Sequence, residues 1–191
     1  PTPSTKPPPP APPNQTRHGP GAVLIAPTEQ NSGLQDESFR TDGSGREFLQ
    51  ATYGGSSYPM TQEAFSEGKH YVFQDGKTVF KNAVFNMADV AVKILERNNL
   101  TKDDIAWLAA HQANKRIIDA TANRIELDNN KVMMNIEKYG NTTSATLPLL
   151  LHDYESLLKK GDDIIVAAVG GGVTWGSIYL IWACEALRPS S

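Results

Sequence analysis

Apolar residues change their period along the chain, and each change marks an element. Ala22-Val23-Leu24-Ile25-Ala26, closed by Pro27, is an unbroken apolar run of strand length and predicts a buried strand. Residues 31–70 are rich in Gly, Ser, Asp and Glu with little periodicity. They predict one irregular strand near Leu34 to Thr41, then a long loop region. Val79, Phe80, Ala83, Val84, Met87, Val90, Ala91, Ile94 and Leu95 recur at helical spacing, so Val79 to Asn98 predicts a helix of about five turns. Thr101-Lys102-Asp103-Asp104 then turns into a strand, Ile105 to Ala110. Lys115 to Leu127 predicts a helix with Ile117, Ile118, Thr121, Ala122 and Ile125 on one face. Val132 to Ile136 predicts a strand. Ser144 to Lys159 predicts a helix with Pro148 in its first turn, where the missing N–H matters little. Gly161-Asp162 turns into the strand Asp163 to Val169, and Gly170-Gly171-Gly172 leads to a final strand, Thr174 to Cys184. The βαβαββ order predicts an α/β layer architecture with strands covered by helices.

Composition narrows what such a fold can do. Nine of the 13 prolines fall in residues 1–20, where Lys6 and Arg17 are the only charges and little is apolar. That segment reads as polyproline II or disorder, a tail or non-native leader, with an SH3 or WW ligand as the alternative. The 191 residues otherwise suit about one domain with a real core. Lys plus Arg number 18 against 21 Asp plus Glu, a net charge of -3, so no basic field points to nucleic acid. The single cysteine, Cys184, excludes an intrachain disulfide framework and a four-thiolate zinc site. No His/Cys/Asp/Glu cluster has ligand spacing, so no metal is expected. Apolar runs such as Ile164 to Val169 fall short of the roughly 20 residues that cross a membrane, and no signal-peptide pattern opens the chain. A cytoplasmic protein without a membrane partner is the expectation.

The residues able to carry chemistry gather at predicted strand ends. Of His18, His70, His111 and His152, only His111 directly follows a predicted strand and precedes a helix, the place where α/β folds bind ligands. A structural histidine is equally common there. Asn141 follows the predicted strand Val132 to Ile136 across a short loop; an Asx-type turn or cap is the simpler account of it. Gly170-Gly171-Gly172 offers backbone N–H groups that a ligand can approach closely. The β-branched and aromatic residues after it read as strand, which excludes a dinucleotide-binding loop opening a helix. An imidazole, a carboxamide and free amides suit a carbonyl that gains negative charge. A nucleophile is missing, because Cys184 at the end of an apolar strand reads as a small buried hydrophobe.

The motifs themselves are informative. His111-Gln112-Ala113-Asn114, preceded by Ile105-Ala106-Trp107-Leu108, resembles the histidine motif of the β-ketoacyl-acyl-carrier-protein synthase III family. Tyr139-Gly140-Asn141-Thr142-Thr143-Ser144-Ala145 resembles its asparagine motif, 30 residues on from His111 to Asn141, and Gly170 to Ser177 resembles its C-terminal signature. The resemblance runs from about Gly21 to Trp182. It implies the C-terminal half of a thiolase-like fold, a five-layered αβαβα sandwich of two similar halves, with residues 21–191 as that half. The family's nucleophilic cysteine lies upstream, so the expectation is a truncated product or one piece of a split enzyme, inactive alone.

The resemblance further implies a decarboxylative Claisen condensation: an acyl-CoA primer loads the cysteine, and malonyl-acyl carrier protein loses CO2 and attacks it to give a 3-oxoacyl product in fatty acid biosynthesis. His111 and Asn141 would stabilise the enolate, and the Gly171 amide would pair with the absent cysteine's N–H as an oxyanion hole. Gly76, Phe80, Ala113, Asn114 and Ile117 match positions lining the pantetheine tunnel. Lys81 and Arg116 match basic positions that dock the acidic carrier protein. Implied partners are acyl carrier protein, acyl-CoA, a second copy in a homodimer and an N-terminal half carrying the cysteine; beyond these thioester substrates no cofactor is implied. Val169 replaces an aromatic common in the family, which alters the acyl pocket. The alternatives are a quinolone- or polyketide-type condensing enzyme, a non-catalytic acyl-carrier-protein or CoA-binding module, and a half-domain exposing a large apolar face.

Overall fold

A computed structural model of the protein describes residues 19–185. The predicted Pro-rich tail up to residue 18, His18 included, lies outside the described residues. Six strands and five α-helices follow in chain order: β1 (Gly33–Thr41), β2 (Leu49–Gln50), α1 (Gln62–Ser66), β3 (Phe73–Gln74), α2 (Gly76–Arg97), β4 (Trp107–Ala110), α3 (Lys115–Arg124), α4 (Ile136–Tyr139), α5 (Thr146–Tyr154), β5 (Asp163–Gly170) and β6 (Thr174–Ile181). The main sheet has the order β1-β6-β5-β4, with β4 parallel to β5 and the other pairs antiparallel. β2 and β3 form a separate two-stranded ribbon.

Period-two alternation along β4 and β5 sorts their side chains onto two faces. Leu108, Ala110, Ile165 and Ala167 join Met87, Ala91, Ile94 of α2 and Ile117, Ile118, Ala122 of α3 in one core. Ala109, Ile164 and Val166 join Met133, Leu150 and Leu158 in a second core on the opposite face, beneath α5. The result is three layers, helix–sheet–helix. α2 starts ahead of its apolar period because the Asp75 carboxylate caps it, accepting from the Thr78 N–H at 3.1 Å and the Thr78 hydroxyl at 2.8 Å.

Four predicted elements differ. Ala22 to Ala26 is not a buried strand: Val23, Leu24 and Ile25 are 61%, 94% and 88% exposed. No backbone ladder reaches the segment from the described residues, and apolar content cannot make a strand without a neighbour to pair with. Val132 to Ile136 is not a strand either. It makes a single parallel bridge, Leu108 to Val132, and then turns into α4. The helix predicted for Ser144 to Lys159 opens with a 3-10 turn over Thr143–Ala145 and keeps α geometry only from Thr146 to Tyr154. The final strand also stops at Ile181 rather than Cys184.

Because β4 and β5 run parallel, their C-terminal ends share one edge of the sheet, and the His111 N–H continues the ladder to Ala167 O at 2.8 Å. The turn from β5 into β6 lies at the same edge.

Candidate active site

His111 leaves β4 at that edge and is half-buried. Its Nδ1 lies 2.6 Å from the Thr146 hydroxyl, at the first residue of α5. Burial holds the imidazole below its ordinary value of 6.5, which favours the neutral ring. The positive end of α5 works in the same direction.

Gln112 explains both the geometry of His111 and the lost strand. Its side chain is fully buried and uses every hydrogen-bonding valence of the amide. Nε2 donates to Ala110 O (2.8 Å) and Met133 O (3.3 Å), while Oε1 accepts from the Asn135 N–H (3.0 Å) and the Ile136 N–H (3.1 Å). A side chain thus takes bonds that a neighbouring strand would supply, and the chain after Met133 is steered into α4. That helix is further tied down where Asp153 accepts from the Asn135 amide (2.9 Å), the Tyr139 hydroxyl (3.1 Å) and the Lys138 ammonium (3.1 Å).

Asn141 follows α4, the turn being made by Gly140 at φ 68°. Its Oδ1 accepts from the Thr143 N–H at 2.9 Å, the local turn expected of an Asn here. With the oxygen so occupied, the amide NH2 is the free end. Thr143 has φ 55°, a left-handed conformation that a β-branched residue rarely adopts. Its carbonyl accepts from the Thr146 hydroxyl at 2.6 Å. Thr143 therefore joins the two motifs: its N–H holds Asn141, and its carbonyl holds Thr146, which touches His111. Thr143, Thr146 and Gln112 were not singled out from the sequence, where each looks like an ordinary turn, helix-start or interior polar residue. A hydroxyl in the first turn after the Asn motif is the one signal that could have pointed to Thr146.

The glycine turn is braced from below. Asp42 and Val173 exchange backbone bonds, at 2.8 Å from the Asp42 N–H to Val173 O and 2.9 Å in return. Gly45, in the 3-10 turn Gly43–Phe48, lies so close beneath Val173 that a Cβ on it meets the Val173 side chain. A Cβ on Gly171 would come within 3.4 Å of Leu49 Cδ2. The exposed Gly171 backbone is thus fixed on one side and open on the other.

The remaining predicted residues fall into two groups. Phe80 and Arg116 come together, the guanidinium carbon 4.7 Å from the ring centroid. Lys81 adjoins them, exposed on α2, where Phe80, Lys81, Val84 and Phe85 line a depression. Gly76 is exposed at the start of α2. Ala113 is half-buried, and Asn114 caps α3, its Oδ1 accepting from the Arg116 N–H at 2.9 Å. Ile117 is buried in the core beneath α2, where Val169 also packs. His70 stacks on Phe65 at 4.6 Å, and His152 is exposed beside Glu155. Cys184 is exposed beyond β6. Since β6 runs away from the glycine turn over eight residues, Cys184 sits roughly 25 Å from it.

Comparison with known proteins places this edge in context. Residues 95–182 match the family model for the C terminal of 3-oxoacyl-[acyl-carrier-protein] synthase III. The chain is 48% identical over 172 residues to a β-ketoacyl-[acyl-carrier-protein] synthase III of Bacteroides thetaiotaomicron, covering 90% of this chain and 51% of that protein. Among solved structures, the 3-oxoacyl-[acyl-carrier-protein] synthase III of Aquifex aeolicus is 33% identical with a TM-score of 0.71, over 82% of this chain and 47% of that one. That of Pseudomonas aeruginosa is 31% identical with a TM-score of 0.73, over 83% and 49%. The chain spans about half the length of the curated relatives it matches.

Proposed function

We propose that the chain, a member of the 3-oxoacyl-acyl-carrier-protein synthase III family, is the C-terminal half of its thiolase-like fold and supplies the His/Asn side of a decarboxylative condensing site. The observation that carries this reading is the hydrogen-bonded path from His111 through Thr146 and Thr143 to Asn141. It fixes two neutral side chains at one sheet edge, beside the glycine turn.

The reaction so proposed joins an acyl-CoA primer to malonyl-acyl carrier protein. Loss of CO2 leaves an enolate whose thioester oxygen gains charge, and donors already in place stabilise that charge without reorganising. Asn141 offers its free amide N–H, and His111 offers its second ring nitrogen. The Gly171 N–H serves the oxyanion of the acyl-enzyme, together with the N–H of a nucleophilic cysteine carried by the complementary N-terminal half. Cys184, at the far end of the sheet, is unsuited to that role. The Phe80–Arg116 pair and Lys81 form the approach for acyl carrier protein and its pantetheine, and Gly76, Ala113, Asn114 and Ile117 serve as the tunnel positions. A non-catalytic thioester-binding module is the second reading, favoured by that remoteness of Cys184.

The deciding experiment assays purified chain with acetyl-CoA and malonyl-acyl carrier protein, then repeats the assay with the cysteine-bearing half added in trans. Silence alone and turnover on complementation is the expected result. His111→Ala and Asn141→Ala should each lower the complemented rate by about 10²–10³-fold, the range for removing an oxyanion donor. Turnover by the chain alone would overturn the assignment of the nucleophile. Thioester binding without turnover in either assay would favour the binding module.

A further inference from the structure

Asn141 lies in the loop 140–145, between two legs: α4 before it and α5 after it. α4 is four residues long and its start has no side-chain cap, which is too little to hold a helix by itself. One carboxylate on the other leg supplies the hold. Asp153 lies roughly two turns along α5 from Thr146, so the two share a face of that helix. Its oxygens accept from the Asn135 amide just before α4 (2.9 Å) and, at the end of α4, from the Lys138 ammonium (3.1 Å) and the Tyr139 hydroxyl (3.1 Å). The next residue of α5, Tyr154, accepts from the Met134 N–H at 3.0 Å. Gln112 grips the start of α4 through the Asn135 and Ile136 N–H groups. Asp153 grips its end as well, one residue before the turn at Gly140. The Asp153 side chain is 18% exposed against 62% for Lys138, so Asn135 and Tyr139 carry most of the hold.

We propose that Asp153 is a positioning residue for Asn141: it ties both ends of α4 to α5, the helix that also touches His111, and so sets where the Asn141 amide stands relative to the imidazole. The proposal rests on the condensing role given to Asn141 above. One helix then serves both side chains, Thr146 at its first residue for His111 and Asp153 further along for the leg that leads into Asn141. Release of the Asp153 end frees α4 to turn about Gly140, and the Asn141 amide moves with it. His111 keeps its own contact to Thr146, so the two donors lose their common geometry rather than either being removed. Acyl transfer to the cysteine, which uses the Gly171 N–H in the reading above, does not depend on this clamp.

The test has one arm without turnover and one with it. In the first, amide hydrogen exchange of the full 15N-labelled chain is compared with that of Asp153→Ala. The Gly140 N–H, bonded to Ile136 O at 2.7 Å, and the Thr143 N–H, bonded to Asn141, should exchange roughly tenfold faster in the variant, while β4 and β5 keep their wild-type rates. In the second, the cysteine-bearing half is added. Acyl transfer from acetyl-CoA to the cysteine should keep its wild-type rate, and condensation with malonyl-acyl carrier protein should fall by about 10–10²-fold. Unchanged exchange at Gly140 would overturn the proposal. So would protection lost equally in β4 and β5, or acyl transfer and condensation falling together, since either marks a residue that only stabilises the fold. Should Asp153→Ala fail to fold, Tyr139→Phe removes the donor at the end of α4 and is read against the same outcomes. A wild-type chain that stays inactive on complementation would count against the condensing function, and the exchange arm would still decide whether Asp153 holds α4.

Discussion

At the scale of single residues, the arrangement of His111 and Asn141 is held by other side chains. Gln112 is the strongest instance, since it is fully buried and satisfies two backbone carbonyls and two backbone N–H groups. Gln112→Leu removes all four bonds while keeping the volume. Each orphaned buried group costs about 1–3 kcal/mol, so urea titration should show a loss of roughly 3 kcal/mol or more. His111 and Asn141 would lose their relative placement in the same variant. A loss within 0.5 kcal/mol would mean that the region after Met133 is positioned by packing alone. The motif between His111 and Asn114 is thus legible as chemistry at its first position and as architecture at its second.

At the scale of elements, β1 is joined to the end of α2 by polar contacts. The Asp36 carboxylate pairs with the Arg97 guanidinium and accepts from the Asn98 amide at 2.6 Å, and these bonds hold its pKa down at about 2 against an ordinary 3.8. A depressed carboxylate stabilises the fold above its unfolded value and stops doing so as pH falls through its folded one. The stability gap between wild type and Asp36→Asn, read as urea midpoints, should therefore be constant near neutrality. It should close between about pH 4 and pH 2. Half the Arg97 side chain is exposed, so the gap should be small and should shrink in high salt. A second contact ties the 3-10 turn to the glycine turn: Gly45→Ala should cost about 1–3 kcal/mol by driving a Cβ into Val173, and Val173→Ala should recover part of that loss. Equal losses in the single and double variants would show that the strain lies elsewhere.

What the sequence allowed and withheld follows from the same contacts. α2 was legible because its apolar positions face one core over its whole length, so periodicity alone marks it. β5 was legible because both of its faces are covered, which leaves a continuous apolar run. Val132 to Ile136 has equally good strand character, yet its ladder is taken by the Gln112 side chain, a long-range event with no local signature. The positions of His111 and Asn141 were read from motifs. The path between them runs through a left-handed Thr143, and no periodicity announces a φ of 55°.

At the scale of the whole molecule, the largest departure from a closed fold is the run Val23-Leu24-Ile25, which projects into solvent next to a well-packed core. The same segment is anchored at its start, where Gly21 packs so tightly on α5 that a Cβ there would come within 2.7 Å of Pro148 Cβ. An anchored apolar run without a ladder fits a strand awaiting its partner sheet, and burying one such side chain is worth about 1.5–3 kcal/mol. Complementation by the cysteine-bearing half should therefore depend on it. Leu24→Asp with Ile25→Asp is expected to leave the urea midpoint of the isolated chain within about 0.5 kcal/mol of wild type, as exposed substitutions do. The same pair should abolish turnover with the added half. If the double variant instead unfolds at much lower urea, the run belongs to this half's own core. The proposal that it is a seat for the other half would then fail.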